Sequence, residues 1–357
     1  MKVKTLRLSI IFLALFSLLI SCDNDDDGGT TTVELEDRTE QQVKDNDSIV
    51  LYLSTHYYNS AYIASSTNPK YTDIIITELP IDETTGEYLD MPDPDNNTLL
   101  IDAVTTYTTT YLEADYEYYV LHLNQGSGDS PNFTDEVRVR YEGTSINDDG
   151  GIFDVITTPG DLLLQGDGFS TFGTIRAWQL VMPMFNTADG FDLVDGIVDY
   201  NNFGLGVMFV PSGLGYFAGT STGSSYDNLM FKFELLQYEL EDHDNDGIPS
   251  YLEDLDDNTE AFDDDTDEDG FPNYIDFDDD GDDVSTFNEL ISTEYVVDTN
   301  ENEEEPILAT NEYEYSRSEV AGVITINTVT VVDSNGDGTP DYLDATIAID
   351  YNEEEEE

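Results

Sequence analysis

Carboxylates recur at fixed intervals late in the chain. Asp242, Asp244 and Asp246 stand two residues apart, Gly247 follows, and Glu253 closes the run at its twelfth position. That spacing matches a calcium-binding loop. Alternate carboxylates point into a turning backbone, the carbonyl of the seventh residue (Ile248) joins them, glycine permits the bend, and the twelfth residue completes an all-oxygen shell. Asp265, Asp267 and Asp269, with Phe271 seventh and Asp276 last, repeat the pattern. A third run is Asp278, Asp280, Asp282, Val284, Thr286 and Glu289, with Asp283 in place of the glycine. Asp333, Asn335, Asp337, Thr339 and Asp344 form a fourth around Gly338. An Asp-rich run is ordinarily only a solvated tail, and it is the repetition at ligand positions that argues for calcium here.

The recurring Gly-x-Pro-x-Tyr-Leu/Ile (Gly247 to Leu252, Gly270 to Ile275, Gly338 to Leu343) argues against the flanking helices of an EF-hand. It resembles thrombospondin type 3 repeats, which wrap calcium with little other core. The ion in such a segment is structural: without it the carboxylates repel one another and the segment loosens.

The rest of the composition narrows the choices. With 11 basic against 79 acidic residues the net charge is -68, which repels phosphate backbones and excludes nucleic acid as a partner. The 23 Tyr and 17 Phe supply a core, so the chain is not a disordered acidic protein. His56, His122 and His243 are the only histidines and lie far apart, leaving no basis for a histidine metal site or a Ser-His-Asp nucleophile.

A second constellation is aromatic. The only tryptophan, Trp178, follows Thr174-Ile175-Arg176-Ala177 at the start of a short helical stretch. Upstream lie Tyr141-Glu142-Gly143, ending an alternating strand, and Phe153-Asp154 after an Asp/Gly turn. Downstream lie Gly215-Tyr216 and the strand Leu229 to Leu236, which carries Phe231. In this order and spacing the segments, over about 120 residues from Tyr118 to Tyr238, resemble an FKBP-type peptidyl-prolyl cis-trans isomerase domain.

That resemblance implies an α+β fold: a twisted antiparallel sheet wrapped on one short helix, with a cleft between them. It implies Trp178 as a platform under a proline ring and Tyr141, Phe153 and Phe231 as walls. The backbone N–H of Ile175 would bind the carbonyl after proline, Tyr216 would donate its hydroxyl to the peptide, and Asp154 would bound the cleft beside the twisting imide. No cofactor is needed for such catalysis. The sequence departs from the family at Ala177 and Phe217, where glycine is usual, and at Gly223 to Tyr226, which replaces an Ile-Pro. The stretch Asn186 to Gly206 is longer than usual and reads as a partner-binding insertion.

The elements that must position these residues follow from pattern. Glu34 to Tyr58 is expected to be helical, with a cap or break at Asp47-Ser48. Lys70 to Leu79 and Leu99 to Leu112 read as strands, as do Glu117 to Leu123, Val137 to Tyr141 and Leu162 to Leu164. Ile175 to Phe185 reads as the helix, and Glu312 to Val332 as a hairpin. At the N-terminus, Lys2, Lys4 and Arg7 precede an apolar run, Leu8 to Ile20, too short to span a bilayer. Leu19-Ile20-Ser21-Cys22 resembles a bacterial lipobox, implying cleavage before Cys22 and a lipid on its sulfur. The Asp-rich stretch after it resembles the surface-export signal of Bacteroidota lipoproteins.

The expected order is a signal peptide (1–21), a lipidated acidic tether (22–34), an N-terminal extension (35–112) and the FKBP-like domain (113–240). Calcium repeats (241–292), an acidic linker (293–312) and a hairpin with a further calcium loop and acidic tail (313–357) complete it. The function so implied is a prolyl isomerase and folding helper acting on proline-containing polypeptides. It would be anchored by lipid to the outer membrane, at the cell surface or on the periplasmic face. The alternatives are an FKBP-like binding module without turnover, and a scaffold subunit of outer-membrane secretion or assembly machinery.

Overall fold

Near-continuous apolar runs such as Val207 to Val210 put apolar side chains on both faces of a strand, so the sheet they form must be covered twice. In the computed structural model, residues 35–147, 151–168 and 171–353 are described. The signal peptide, Cys22 and the tether, along with the last four residues of the acidic tail, lie outside them. No described helix is long and apolar enough to cross a membrane.

The elements run as α1 (Arg38–Thr55), β1 (His56–Tyr58), α2 (Ser60–Ser65), β2 (Ile76–Glu78), β3 (Thr98–Leu99), α3 (Leu100–Ala103) and β4 (Thr105–Tyr111). Next come β5 (Ala114–Asn124), β6 (Glu136–Ser145), β7 (Ile152–Leu163), α4 (Arg176–Val181), β8 (Gly190–Val194) and β9 (Ile197–Asn201). The series ends with β10 (Gly204–Val210), β11 (Leu229–Glu239), β12 (Ile291–Asp298), β13 (Glu312–Val320) and β14 (Val323–Thr330). The main sheet has six antiparallel strands in the order β4-β5-β10-β11-β6-β7. Pro159 lies on the edge strand β7, where the pairing with β6 shifts register, a place where a missing N–H is tolerated.

Side chains alternate across the sheet. Tyr118 and Val120 of β5, Met208 of β10 and Phe231 and Phe233 of β11 point to one face and pack with Trp178, Val181 and Met182 around α4. Tyr119 and Leu121, Val207 and Phe209, and Met230 point to the other, where Ile49 and Leu53 of α1 cover them together with Tyr71, Ile74 and Leu100. The mixed α+β architecture with an antiparallel sheet over a short helix is as expected. The N-terminal extension, expected only to pack beside this domain, is the second layer of the sheet.

Local details differ from the sequence reading. Asp37, not Asp47-Ser48, caps α1, its carboxylate accepting the Glu40 N–H at 3.0 Å, and the helix runs unbroken through Asp47 and Ser48. Asp45 shows why: its buried carboxylate is used across the interface to the sheet layer. Lys70 to Leu79 is a 3₁₀ turn followed by the three residues of β2, and Leu99 to Leu112 is interrupted by α3. The expected helix to Phe185 is α-helical only to Val181, after which Pro183, lacking a donor, leaves a 3₁₀ turn. The expected linker 293–312 begins as β12, which pairs with β14 alongside the anticipated hairpin, giving the order β12-β14-β13. Ala321 and Gly322, both at positive φ, make its tight turn.

Two buried acids fix the outer layer. Asp45 accepts the Ser212 N–H at 2.9 Å and its hydroxyl at 2.6 Å, and holds Gln41 at 2.7 Å. Glu234 of β11 accepts the Tyr71 N–H at 2.9 Å and an Arg140 guanidinium N–H at 2.9 Å. Burial pushes both carboxyls above their ordinary range, and these hydrogen bonds oppose that shift. Asp45→Ala should leave the Ser212 hydroxyl without its acceptor and the Ser212 N–H with only its 3.3 Å bond to Asn228 Oδ1 in a dry interface, and cost about 2–4 kcal/mol. Urea unfolding of the variant against the parent measures it.

Candidate functional site

The aromatic site is assembled by three neighbouring strands and one helix turn. Across the sheet Phe231 pairs with Gly143, which pairs with Asp154. Because Gly143 has no side chain, the rings of Phe231 and Phe153 close edge-to-face over it at 5.6 Å. A Cβ at that position would lie 2.8 Å from one ring and 2.9 Å from the other. The N–H of Thr174 bonds to the Leu163 and Leu164 carbonyls, setting the chain for α4, and Ile175, extended, precedes the first turn. Trp178 thereby reaches Tyr141 at 5.1 Å, Phe231 at 5.2 Å and Phe233 at 5.9 Å between ring centres.

Tyr141 donates its hydroxyl to Asp154 at 2.5 Å, and the other oxygen of that carboxylate accepts the Val155 N–H at 2.9 Å. Burial first, then the bond to Asp154, pushes the Tyr141 hydroxyl well above its usual range, so it stays a donor. Tyr216 stands edge-on to Phe153 at 6.4 Å. Burial, then the Asp154 charge, raises its hydroxyl in the same way. Tyr141, Phe153, Asp154, Trp178, Tyr216 and Phe231 are thus brought together, with Ile175 beside them at the helix start. The floor is closed, with Trp178 only 3% exposed, while Phe153, Asp154 and Tyr216 (38% exposed) form an accessible rim. Four recesses of about 140–480 Å³ elsewhere on the surface have linings that do not include Trp178.

Sequence reasoning did not find what holds the rim. Phe217 adopts φ +48°, where a side chain is disfavoured, and its ring meets Tyr226 edge-on at 5.0 Å. The Arg38 guanidinium of α1 lies 4.2 Å from the centre of that ring and donates to the Gly213 carbonyl at 3.3 Å. No spacing rule links Arg38 to a residue so distant in sequence. The insertion Asn186 to Gly206 forms the β8–β9 hairpin, with Phe191, Leu193 and Ile197 exposed.

The acidic loops share one wiring. In each, the first Asp accepts the N–H five residues on: Asp242 from Gly247, Asp265 from Gly270, Asp278 from Asp283, Asp333 from Gly338. In each, the fifth residue accepts the N–H of the seventh: Ile248, Phe271, Val284 and Thr339 are the donors. The sixth residue has φ +99°, +100°, +78° and +102° in turn. Asp283 therefore holds, as a non-glycine, a left-handed bend that glycine takes freely. Each loop ends in a single 3₁₀ turn (Ser250–Leu252, Asn273–Ile275, Thr286–Glu289 and Asp341–Leu343), and no α-helix flanks it among the described residues.

The loops differ in what their carboxylates lack. Buried oxygens of Asp244, Asp246, Glu253, Asp278, Asp280, Asp282 and Glu289 have no hydrogen-bond partner, nor do one oxygen each of Asp264 and Asp265 and both of Asp279. Buried carboxylates in such company demand a cation or a proton. Ligand atoms within 4.8 Å of one another are offered by the Asp242, Asp265 and Asp278 loops. Two further sets, Asp246–Glu253–Asp279 and Asp254–Asp256–Asp264, were not anticipated. The fourth loop differs: the Asn335 amide donates to Asp337 at 3.0 Å and Asp344 at 2.9 Å, with Asp333 and Asp337 exposed and Asp344 half-buried.

This segment is bolted to the aromatic site. Arg176, two residues before Trp178, donates to the Thr259 carbonyl at 2.5 Å and its hydroxyl at 2.7 Å. Tyr274 donates to the Gly166 carbonyl at 2.8 Å, and a ring nitrogen of His243 lies 3.0 Å from the Gln165 carbonyl.

Comparison with known proteins touches both halves. The family model described as BamM C-terminal matches residues 243–312. No curated protein matches the chain. Among solved structures it is similar to a peptidyl-prolyl cis-trans isomerase from Pseudomonas syringae pv. tomato, with 22% identity, 34% of this chain and 75% of that one covered, and a TM-score of 0.27. FkpA from Escherichia coli matches at 20% identity, covering 37% of this chain and 51% of its own, with a TM-score of 0.27.

Two outcomes are expected. Gly143→Ala should push the two phenylalanine rings apart and cost about 1–3 kcal/mol in urea unfolding. In chelator, burial and then neighbouring carboxylates raise Asp279 to about 9 and Glu289 to about 8, so the folded chain keeps protons that the unfolded chain releases. Stability should fall as pH rises from 5 to 9 in chelator. Thermal melts with calcium present should lose most of that slope.

Proposed function

We propose that the curled-sheet domain captures polypeptides at prolyl residues and accelerates their cis-trans isomerisation. The observation that carries this is the Tyr141–Asp154 hydrogen bond beside Trp178, with Phe153 and Tyr216 at an accessible rim. Rotation about an Xaa-Pro bond is slow because it breaks amide resonance across about 18–20 kcal/mol. The twisted amide is less dipolar than the planar one, so an apolar, water-poor surface favours it without nucleophile or metal. In this reading Phe153 and Phe231 flank the ring over Trp178, Asp154 bounds the twisting imide, and Tyr216 and the Ile175 N–H hold the adjoining carbonyls.

The calcium-bearing segment is a structural part of the same protein. Asp242, Asp244, Asp246 and Glu253 would hold one ion, Asp265, Asp267, Asp269 and Asp276 a second, and Asp278, Asp280, Asp282 and Glu289 a third. The fourth loop, around Asp333, Asp337 and Asp344, takes an ion when the Asn335 amide turns its oxygen inward. The thrombospondin-like wrapping of calcium remains part of this proposal. A lipid on Cys22 anchors the chain to the outer membrane, on its cell-surface side. The match to the BamM C-terminal family favours a second reading, in which the domain serves outer-membrane assembly machinery as a peptide-binding or scaffold subunit.

Isomerisation of a proline tetrapeptide by the chain from Asp23 onward, in calcium, separates the readings. The parent should accelerate the reaction, and Phe153→Ala and Asp154→Ala, changing rim residues, should each lower kcat/KM roughly ten-fold. A parent that binds the peptide through these residues without accelerating it supports the binding-module reading. A parent that does neither rules out both uses of the cleft.

A further inference from the structure

The first and third acidic loops meet at a carboxylate, Asp279, that neither spacing pattern counts as a ligand. Asp279 follows the first ligand of the third loop by one residue. It lies with Asp246 and Glu253 of the first loop, all three offering oxygens within 4.8 Å of one another. Their exposures are 1%, 2% and 1% respectively. Both oxygens of Asp279, both of Glu253 and one of Asp246 are buried without a hydrogen-bond partner. Three unpaired carboxylates so enclosed are unstable unless something positive lies between them.

We propose that Asp246, Glu253 and Asp279 form a divalent-cation site additional to the one inside the first loop, tying that loop to the third. The inference rests on the reading of the loops as calcium sites and extends it.

Charge supports a second ion over a shared one. Asp242, Asp244, Asp246, Glu253 and Asp279 are five carboxylates in one neighbourhood. None of them forms an ion pair with Lys, Arg or His among the described residues. One Ca²⁺ inside the loop would leave most of that charge uncompensated in the interior. A second, held by Asp279 with Asp246 and Glu253 shared between the two positions, removes most of the remainder. The site favours calcium over magnesium: its oxygen donors suit either ion, but they are buried where magnesium would retain several waters.

The test counts ions on the full chain. Protein stripped with chelator is reloaded with calcium, the metal bound per chain is determined by elemental analysis, and melting is followed with and without calcium. Asp279→Asn, isosteric and neutral, should bind one calcium fewer per chain than the parent. It should also gain less melting temperature on adding calcium, while melting no lower than the parent in chelator. Asp333→Asn, in the exposed fourth loop, controls for loss of an ordinary loop ligand and should leave the link between the first and third loops intact. Should the amide disturb packing, Asp279→Ser repeats the count with a smaller side chain. Parental calcium stoichiometry and affinity in a folded Asp279 variant overturns the proposal and leaves the residue a buried protonated carboxyl. A parent that binds no calcium overturns the reading of the loops themselves.

Discussion

Three adjacent strands, β5, β10 and β11, carry apolar side chains on both faces, and water must be kept from both. Burying a Leu or Phe side chain stabilises by about 1.5–3 kcal/mol, so leaving either face open would forfeit more than a typical domain's net stability. Helix α4 covers one face and α1 with its following turns covers the other. Everything about the aromatic site descends from this double cover. The face under α4 yields the floor at Trp178, and the layer over the opposite face supplies Arg38, which reaches round to the loop that borders Tyr216. The N-terminal extension is therefore part of the site's construction.

The C-terminal third obeys a different constraint. It has little hydrophobic core: Ile248, Leu290, Val329 and Tyr342 make one small cluster, and Phe133, Ala261 and Tyr274 another. Its interior is instead lined with carboxylates. A chain that buries Asp244, Asp246, Glu253, Asp279 and Glu289 together cannot be held by apolar contact alone, because their mutual repulsion and desolvation oppose folding. In the proposed reading, bound cations would convert the same groups from a liability into the cross-links of the segment. The recurrence of one hydrogen-bond pattern in four loops shows that the backbone is shaped to present those oxygens whether or not the residue at the bend is glycine.

Much of this was legible in the sequence because it was local. The four loops are written in spacing, and their geometry follows from Asp side chains bonding to N–H groups two and five residues ahead. The six aromatic-site side chains were legible through the resemblance of their order and spacing to an FKBP-type domain. What was not legible was long-range. Arg38 and Phe217, Asp45 and Ser212, and Asp279 and Glu253 are each joined across many residues by packing that no periodicity encodes. The break expected at Asp47-Ser48 failed for the same reason: those residues favour caps in isolation, but the apolar face through Ile49 and Leu53 had a sheet to cover. The strand expected at Lys70 to Leu79 gave way to a turn that carries the Tyr71 N–H to Glu234.

The two halves are joined at a point that matters for both. Arg176 sits on the same helical turn as Trp178, and its guanidinium is held by the carbonyl and hydroxyl of Thr259. The N–H groups of Asn258 and Thr259 in turn donate to Asp254, a member of the Asp254–Asp256–Asp264 cluster. One side chain therefore separates the helix under the aromatic floor from a group of carboxylates whose charge state depends on cations. A buried guanidinium is not free to move independently of its partners, because breaking those bonds would leave it unpaired in the interior. Disorder in the acidic segment would thus be felt first at α4, whereas a solvated tail of equal charge would transmit nothing. This connection gives the chain a physical reason to carry the acidic segment beside the aromatic site.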